Sequence, residues 1–546
     1  MNKYKNLLFL VPILNKFKIW FIIGIVGMII SSLISAPIPY LMGYIIDKVI
    51  LVNGSYSQLF KITLILILIN FIRYIISILY QYCFNKVQQH IVNTIRISMV
   101  GNIIDAPLNF LNKHEKGYIL SRISEVGSIG SLFSPNLLST FTGIFDFFAS
   151  ILIMINLSPK LTIISLAIIP IYFFIARYSS KRISNNATNV YEASAVLNGE
   201  IYEILNGIED IKLLNGKDIQ IKKLTMKIKS MVKSIMKQNL NFIFFVQNII
   251  LTSNIVTVLV LLFSGVLILK NELTIGIYTS FSIYMNKIIS NTQSLGNLEI
   301  TLKPICISIE RIKEFLNLTN ENSDNYEFLN KPIESITFKN VSFKYNDTSD
   351  FILHNLNHNI EKGDKILIKG VNGAGKTTLI KLITGLYYPT LGTIMINGKD
   401  SSTINKKCIR DKIGIVSQNI FLFKGTVLEN ILYGYTNKIK DDVINLINEY
   451  NLAAYIDRFD NGLDTEIIQN GSSLSGGQAQ IIAFLRAVIK KRDVIILDEA
   501  TSNLDINTRK LILGILKEKN LCNILIIISH QNDELDFINK TINLIP

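Results

Sequence analysis

Two stretches of this 546-residue chain carry no charge over lengths that soluble folds rarely reach. Ile19 to Ile46 runs for 28 residues and Gln238 to Leu269 for 32, against roughly 20 needed to span a bilayer as a helix. A backbone inside hydrocarbon must satisfy its own N–H and C=O groups, so each run is predicted to be helical. Four shorter apolar candidates fall near 59–85, 128–157, 161–177 and 273–298, which makes six spans in the first 300 residues. A large soluble helical core is the alternative, but such helices seldom stay uncharged for so long. The first run follows Lys3 and Lys5 and so imitates a secretory signal. It far exceeds the about 7–15 residues of a signal's apolar region, and no A-x-A-like cleavage site follows. It is read as a retained helix, with Pro37 and Pro39 kinking or ending it near its far end.

Charge makes up only 18% of the chain, against about 25% in an ordinary soluble protein. That depletion excludes a disordered chain. The net charge of +14 fits either nucleic acid or an anionic membrane surface. Its distribution favours the membrane. The 177–237 connection holds eleven Lys and Arg, and Lys3, Lys5, Lys16 and Lys18 precede the first span. The opposite connections are short and nearly neutral, at Asp47/Lys48, Lys160 and Lys270/Glu272. The positive-inside rule then puts the N-terminus, the long connections and the C-terminal half in the cytosol of a multi-pass plasma-membrane protein. The long connections, 86–126 and 178–237, show helical apolar spacing (Ile201, Ile204, Leu205, Ile208, Ile211). They read as extensions of the membrane helices, each with a reversal able to dock on another domain. Four scattered cysteines, Cys83, Cys306, Cys408 and Cys522, read as free buried thiols.

Three charges well inside the spans bear on function: Arg73, Asp146 and Lys287. Each costs about 2.5–3.5 kcal/mol at a bilayer centre on insertion scales, so such groups turn toward a bundle interior or a wet cavity. One reading is a polar substrate cavity with Arg73 and Lys287 as handles for an anionic group. The other is a structural Arg73–Asp146 pair with Lys287 snorkelling.

Composition turns ordinary after Phe315, and a polar linker covers 321–332. From 333 to 546 strands and helices alternate, which predicts an α/β domain. Gly370-Val-Asn-Gly-Ala-Gly-Lys376-Thr377 fits G-x-x-x-x-G-K-[ST] between an apolar strand, Lys365–Lys369, and an apolar helix. Gly373 and Gly375 let backbone N–H groups close on phosphate oxygens, and the helix N-terminus adds its dipole. Lys376 reaches the β- and γ-phosphates, and the Thr377 hydroxyl is a ligand for Mg²⁺. The strand Val494–Leu497 ends in Asp498 and Glu499. Asp498 fits a metal ligand, and Glu499 fits a base for the attacking water. Leu474-Ser-Gly-Gly-Gln478 adds a second anion nest at a presumed helix start. One nucleotide does not need two nests, but two chains placed head to tail would use both.

In these motifs the sequence resembles the ATP-binding cassette (ABC) transporters, specifically exporters with six membrane helices fused to one nucleotide-binding domain. The resemblance covers essentially the whole chain. It implies an all-α six-helix transmembrane domain, residues 1–320, joined to an α/β P-loop ATPase, with Walker A at Gly370–Thr377, Walker B ending at Asp498 and the signature at Leu474–Gln478. It also implies ATP contacts from Tyr345, Gly370, Asn372, Gly373, Ala374, Gly375, Lys376, Thr377, Thr378, Ser475, Gly476, Gly477, Gln478 and Asp505. Tyr345 would stack on adenine, or else be an ordinary strand aromatic. Gln418 resembles the Q-loop glutamine that links Mg²⁺ and water to the membrane domain. His530 looks like the switch histidine, and Ser502–Asp505 like the D-loop. Phe110–Gly117 and Glu203–Lys212 are similar to the exporters' coupling segments, and Glu310–Ile312 to the exit from the sixth helix. The implied machine is a homodimer that binds two ATP with Mg²⁺ between its cassettes and alternates access to its cavity.

Ala479, Gln469 and Gln531 depart from residues common in the family, though none replaces a catalytic group. The chain ends soon after His530, where most relatives continue. No peptidase domain precedes the first span, so no leader cleavage is expected from this chain. Asn372, where many multidrug exporters carry Ser, is similar to exporters of small peptides. The expected cargo is thus a small peptide such as a bacteriocin, with multidrug or amphipathic small molecules and lipids as alternatives. Membrane lipids are expected partners and nucleic acid is not. A nucleic-acid-dependent ATPase and a regulator built on a transporter scaffold are the readings from other classes.

Overall fold

The computed structural model describes every residue except 1, 53, 115, 167, 319–320, 322–325, 347–349, 436–438, 469–473, 501–503, 519–520, 530–534 and 545–546. Side chains are also left aside at 2–5 and at some positions within 168–191 and 296–300. The chain divides into two compact units: Met1–Ile104 with His114–Leu318, and Asp105–Lys113 with Thr319–Pro546.

The first unit contains only helices and turns among its described residues. Its opening span breaks where the sequence places its prolines: α1 (Lys18–Ser35) stops, Pro37 caps and α2 (Ile38–Ile45) restarts. A long helix, α3 (Tyr56–Ile104), carries the second span and runs on past it. After the reversal at α4 (Leu108–Lys113), α5 (Lys116–Gly130) leads to the third span, α6 (Pro135–Leu157). The fourth lies on α7 (Pro159–Leu166) and α8 (Ile168–Asn206), the fifth on α10 (Lys217–Leu269) after the short α9 (Ile208–Leu213), and the sixth on α11 (Ile275–Leu316). The two long connections are therefore helical extensions with short reversals, as their apolar spacing requires. Among the described residues, four helical segments are long and apolar enough to cross a membrane: Lys18–Ile50, Tyr56–Ile104, Lys116–Leu157 and Lys217–Leu269. The remaining two expected spans are helical as well. Residue 167 of the fourth lies outside the described residues, and the sixth carries Lys287.

Burial in this unit sorts by face. Met154, Phe245, Phe281 and Tyr284 form its core, while Leu64, Ile67, Phe71, Leu251, Val258 and Leu262 stay exposed. An exposed apolar face of this extent suits lipid. Small residues let helices approach closely: a Cβ on Gly24 would come within 2.8 Å of the Phe84 ring, and one on Gly27 within 2.8 Å of Tyr80 Cβ.

The second unit contains the α4 segment, whose Leu108 packs against the cassette core and whose Asn112 amide donates to the Tyr387 hydroxyl at 2.5 Å. An antiparallel sheet is built from β1 (Ser335–Phe343), β2 (Leu353–Glu361), β4 (Leu391–Ile396) and β5 (Lys399–Asp400), in the order β2-β1-β4-β5. A parallel sheet contains β3 (Lys365–Lys369), β6 (Ile413–Val416), β7 (Val494–Asp498), β8 (Ile524–Ile528) and β9 (Lys540–Asn543), in the order β9-β3-β8-β7-β6. Strands β7 and β8 are buried at every residue, which explains their unbroken apolar runs. In register, Ile528 pairs with both Ile368 and Asp498, so the carboxyl ends of β3, β8 and β7 lie level. Helix α12 (Lys376–Ile383) follows β3, and α13 (Lys406–Arg410), α14 (Val427–Ile431), α15 (Gly476–Val488) and α16 (Ile506–Glu518) complete the frame used below.

The cysteines carry no disulfide. Cys83 and Cys306 are buried as expected, but Cys408 and Cys522 are only half-buried.

Candidate functional site

Ligands of open parallel sheets gather at the carboxyl ends of the strands, and there the cassette assembles its polar residues. The loop leaving β3 holds Gly373 at φ +88° and Gly375 at φ +90°, the left-handed region glycine enters freely. A side chain at Gly375 would also come within 2.8 Å of Leu353. A Cβ on Gly373 would meet nothing within 4 Å, so the loop keeps an open face there. Lys376 is 8% exposed, and its ammonium donates to the loop carbonyls of Gly370 at 2.8 Å and Val371 at 3.4 Å. The loop thus folds around its own cation. Ala374 is buried beneath it, while Asn372 lies exposed at its crest.

Asp498 ends β7 and is 6% exposed. Burial, reinforced by the neighbouring Glu499 charge, pushes its carboxyl above the usual carboxylate range. The Thr377 hydroxyl donates to Asp498 Oδ2 at 3.5 Å. Two hard oxygen ligands from separate elements converge on one point, a donor set that fits Mg²⁺. Glu499 sits at φ +50°, a conformation that costs a non-glycine residue about 1–3 kcal/mol. Its N–H donates to the Ile528 carbonyl at 3.1 Å, which holds the strained turn. The Gln418 amide, beyond the end of the adjacent β6, donates to Glu499 Oε2 at 2.6 Å. Two residues that are 81 positions apart in sequence thus meet where the base was expected.

Ser475 caps α15 through a capping box: its hydroxyl accepts from Gln478 N–H at 3.3 Å, and Gln478 Oε1 accepts from Ser475 N–H at 2.9 Å. The N–H groups of Gly476 and Gly477 fall in the first turn, where a helix offers no internal acceptor. Asp505 caps α16, accepting from Thr508 N–H at 2.6 Å, and approaches Arg458 at 3.7 Å. Tyr345 is half-buried beside Phe343 and Tyr387, with ring centroids 5.0 and 5.2 Å away, and its hydroxyl lies 3.1 Å from the Thr378 hydroxyl. It belongs to an aromatic cluster against α12 as much as to any nucleotide face. His530, Gln469, Gln531, Ser502 and Asn503 lie outside the described residues.

Residues that sequence reasoning missed secure the loop that carries Gln418. Asn430, 1% exposed on α14, accepts from Phe423 N–H at 2.8 Å and donates to the Phe423 and Thr426 carbonyls at 2.8 and 3.0 Å. Arg486 on α15 donates to Asn430 O at 2.8 Å and to Phe421 O at 3.1 Å. The available signal was the capping-box pair Thr426 and Glu429, which announces the start of α14.

In the first unit, Arg73 and Asp146 line one polar pocket of about 270 Å³. The expected Arg73–Asp146 ion pair is absent: among the described residues no such pair forms within 4.0 Å, and Asp146 accepts instead from the hydroxyls of Ser32 and, at 3.2 Å, Ser35. Lys287 does not snorkel. It is half-buried and donates to Ser35 at its carbonyl (3.2 Å) and hydroxyl (3.4 Å).

Comparison with known proteins agrees with this geometry. The ABC transporter transmembrane region family matches residues 21–293, and the ABC transporter family matches residues 353–502. An uncharacterized ABC transporter ATP-binding protein of Bacillus subtilis, YfiC, is 30% identical over 87% of this chain and 79% of its own length. A lactococcin transport/processing ATP-binding protein LcnC-like of Lactococcus lactis is 27% identical over 94% of this chain and 72% of its own. A solved bacterial Atm1-family ABC exporter with ATP bound shares the fold at a TM-score of 0.85, with 22% identity, over 94% of this chain and 91% of that one.

Proposed function

This chain belongs to the ABC transporters, membrane proteins that couple ATP hydrolysis to transport, and we propose that it exports a small peptide as a homodimer. The observation that supports the dimer is that one cassette carries two separate helix starts with backbone N–H groups free to meet an anion, the loop before α12 and the start of α15. Each nucleotide would lie between Lys376 of one copy and Ser475 to Gln478 of the other, and Asp505 would face the same seam. The peptide cargo is favoured by the likeness to the lactococcin transport/processing protein, which covers nearly the whole chain. The Lys and Arg asymmetry supports a cassette in the cytosol, an inward-loading cavity and a plasma-membrane location. The proposed division is a membrane domain at 1–320, a linker at 321–332 and a cassette at 333–546.

The chain's own groups would divide the work. Gly373, Ala374 and Gly375 offer backbone N–H groups, and Lys376 offers charge, to the phosphates. Gly370 and Asn372 shape the loop, while Thr378 and Tyr345 border α12. Thr377 and Asp498, with Gln418 nearby, would hold Mg²⁺, which when bound withdraws negative charge from the phosphate oxygens. Glu499 orients the attacking water and accepts its proton, and the Gln418 amide at 2.6 Å fixes the carboxylate's direction. His530 would contact the γ-phosphate. Closure of the cassettes would turn the cavity outward, and hydrolysis would reset it. Arg73, Asp146 and Lys287 would mark the cargo path.

Inverted membrane vesicles test this reading. Wild type is expected to accumulate labelled short apolar peptides only with ATP, and Glu499→Gln is expected to accumulate none. Wild-type hydrolysis in Glu499→Gln, or ATP-independent uptake, would contradict it.

A further inference from the structure

We propose that the pocket between α1, α3 and α6 is a subsite for the carboxylate end of the cargo, with the Arg73 guanidinium as its direct ligand; this rests on the export reading. Arg73 lies near the middle of the 59–85 span, about 20 Å from either end at 1.5 Å per residue. A cation there is costly and calls for a partner. The obvious partner is already taken. Asp146 Oδ1 accepts from the Ser32 and Ser35 hydroxyls rather than from the guanidinium, and Ser35 also receives the Lys287 ammonium. Lys287 and Asp146 therefore balance each other through one serine. The surplus charge in this pocket rests on Arg73, which among the described residues has neither a hydrogen bond nor an ion pair.

The chemistry of the missing partner follows. A planar guanidinium offers paired donors that match the two oxygens of a carboxylate. Ser31, Asn70 and Ser77 line the same pocket and supply neutral polar walls. One surplus positive charge matches a monovalent carboxylate, whereas a doubly charged phosphate would be left facing Asp146. The volume of about 270 Å³ falls just below the roughly 300–1,000 Å³ of whole-ligand sites, so it takes one end of a molecule. A peptide C-terminus meets all of these conditions.

The test uses the full chain in lipid nanodiscs with a dansylated leucine pentapeptide, as the free acid and as the C-terminal amide. Fluorescence anisotropy should show wild type binding the acid at least about tenfold more tightly than the amide. Arg73→Gln should remove that preference by weakening the acid, its wild-type elution volume and ATP binding showing that it folds, and Arg73→Lys should keep part of it. Equal binding of acid and amide by wild type, binding of neither, or a preference that survives Arg73→Gln would overturn the subsite. Displacement of the acid by phosphatidate but not by neutral lipid would overturn it too, in favour of a lipid head group. ATP-driven uptake of acid and amide alike in inverted vesicles would sink the subsite and spare the export reading. A clear acid preference without ATP-driven uptake would do the reverse.

Discussion

A methyl group added at Gly43 has no room. Gly43 on α2 crosses Gly276 at the start of α11, and its Cβ would overlap the Ser280 hydroxyl and the Gly276 carbonyl oxygen and lie 3.0 Å from the Gly276 carbonyl carbon. Ordinary contacts begin at 3.4 Å, and the obstacle is backbone, so the helices themselves must part. That movement strains two hydrogen bonds, Gly276 N–H to Asp47 at 2.7 Å and the Ser280 hydroxyl to Pro39 O at 2.9 Å. Overpacking costs about 1–3 kcal/mol, and each lost bond about 0.5–1.5 kcal/mol, so Gly43→Ala should destabilise the helical unit by about 2–6 kcal/mol. Gly265→Ala is the control. Nothing lies within 4 Å of its Cβ, and helix propensity alone favours alanine by up to about 1 kcal/mol. Heating of the detergent-solubilised protein, followed by size-exclusion chromatography, should place the Gly43→Ala midpoint roughly 4 °C or more below that of Gly265→Ala. Equal midpoints would refute the crossing.

Two further outcomes follow from the cassette. Burial, and after it Arg410, pushes the Lys406 ammonium down to about 8, while Asp400 and Glu321 pull the other way. The folded state therefore resists a proton that the unfolded chain keeps up to about 10.5, so stability rises between pH 8 and 10.5 by up to about 3 kcal/mol. Unfolding of Lys406→Met across that window should lack the rise, and parallel wild-type and variant curves would count against it. Asn430→Ala strands buried partners at Phe423 and Arg486, a cost of about 1–3 kcal/mol. In proteoliposomes it should lower peptide moved per ATP hydrolysed, because the Gln418 loop loses its anchor, and an unchanged ratio would contradict that role.

The elements with strong local signals were readable. The uncharged runs had to be helices, and β3, β7 and β8 announced themselves as unbroken apolar strands because both their faces are covered. The loop before α12 was equally plain, since glycine at 373 and 375 is needed by positive φ. Side-chain pairing across spans was not readable. Arg73 and Asp146 looked like partners because opposite charges inside a membrane should meet, yet three-dimensional packing interposed Ser32 and Ser35, which a hydropathy pattern treats as filler. Asn430 and Arg486 were silent for a similar reason: their value lies in bonds to backbone carbonyls of a distant loop. The linker hid another such contact. Glu321 forms an ion pair with Arg410, which also donates to Thr384 O and Gly385 O at 3.2 Å just after α12, and the Glu321 N–H donates to Asp105 O at 3.0 Å.

The central claim is that ATP is hydrolysed at seams shared by two copies and that this drives transport. Differently tagged Lys376→Ala and Ser475→Arg chains, each inactive as a homodimer, can be co-expressed and the mixed dimer purified. In that dimer one seam carries both lesions and the other carries none. ATP hydrolysis and peptide uptake should both recover, to well above either parent. A mixed dimer as inactive as its parents would contradict the shared seam.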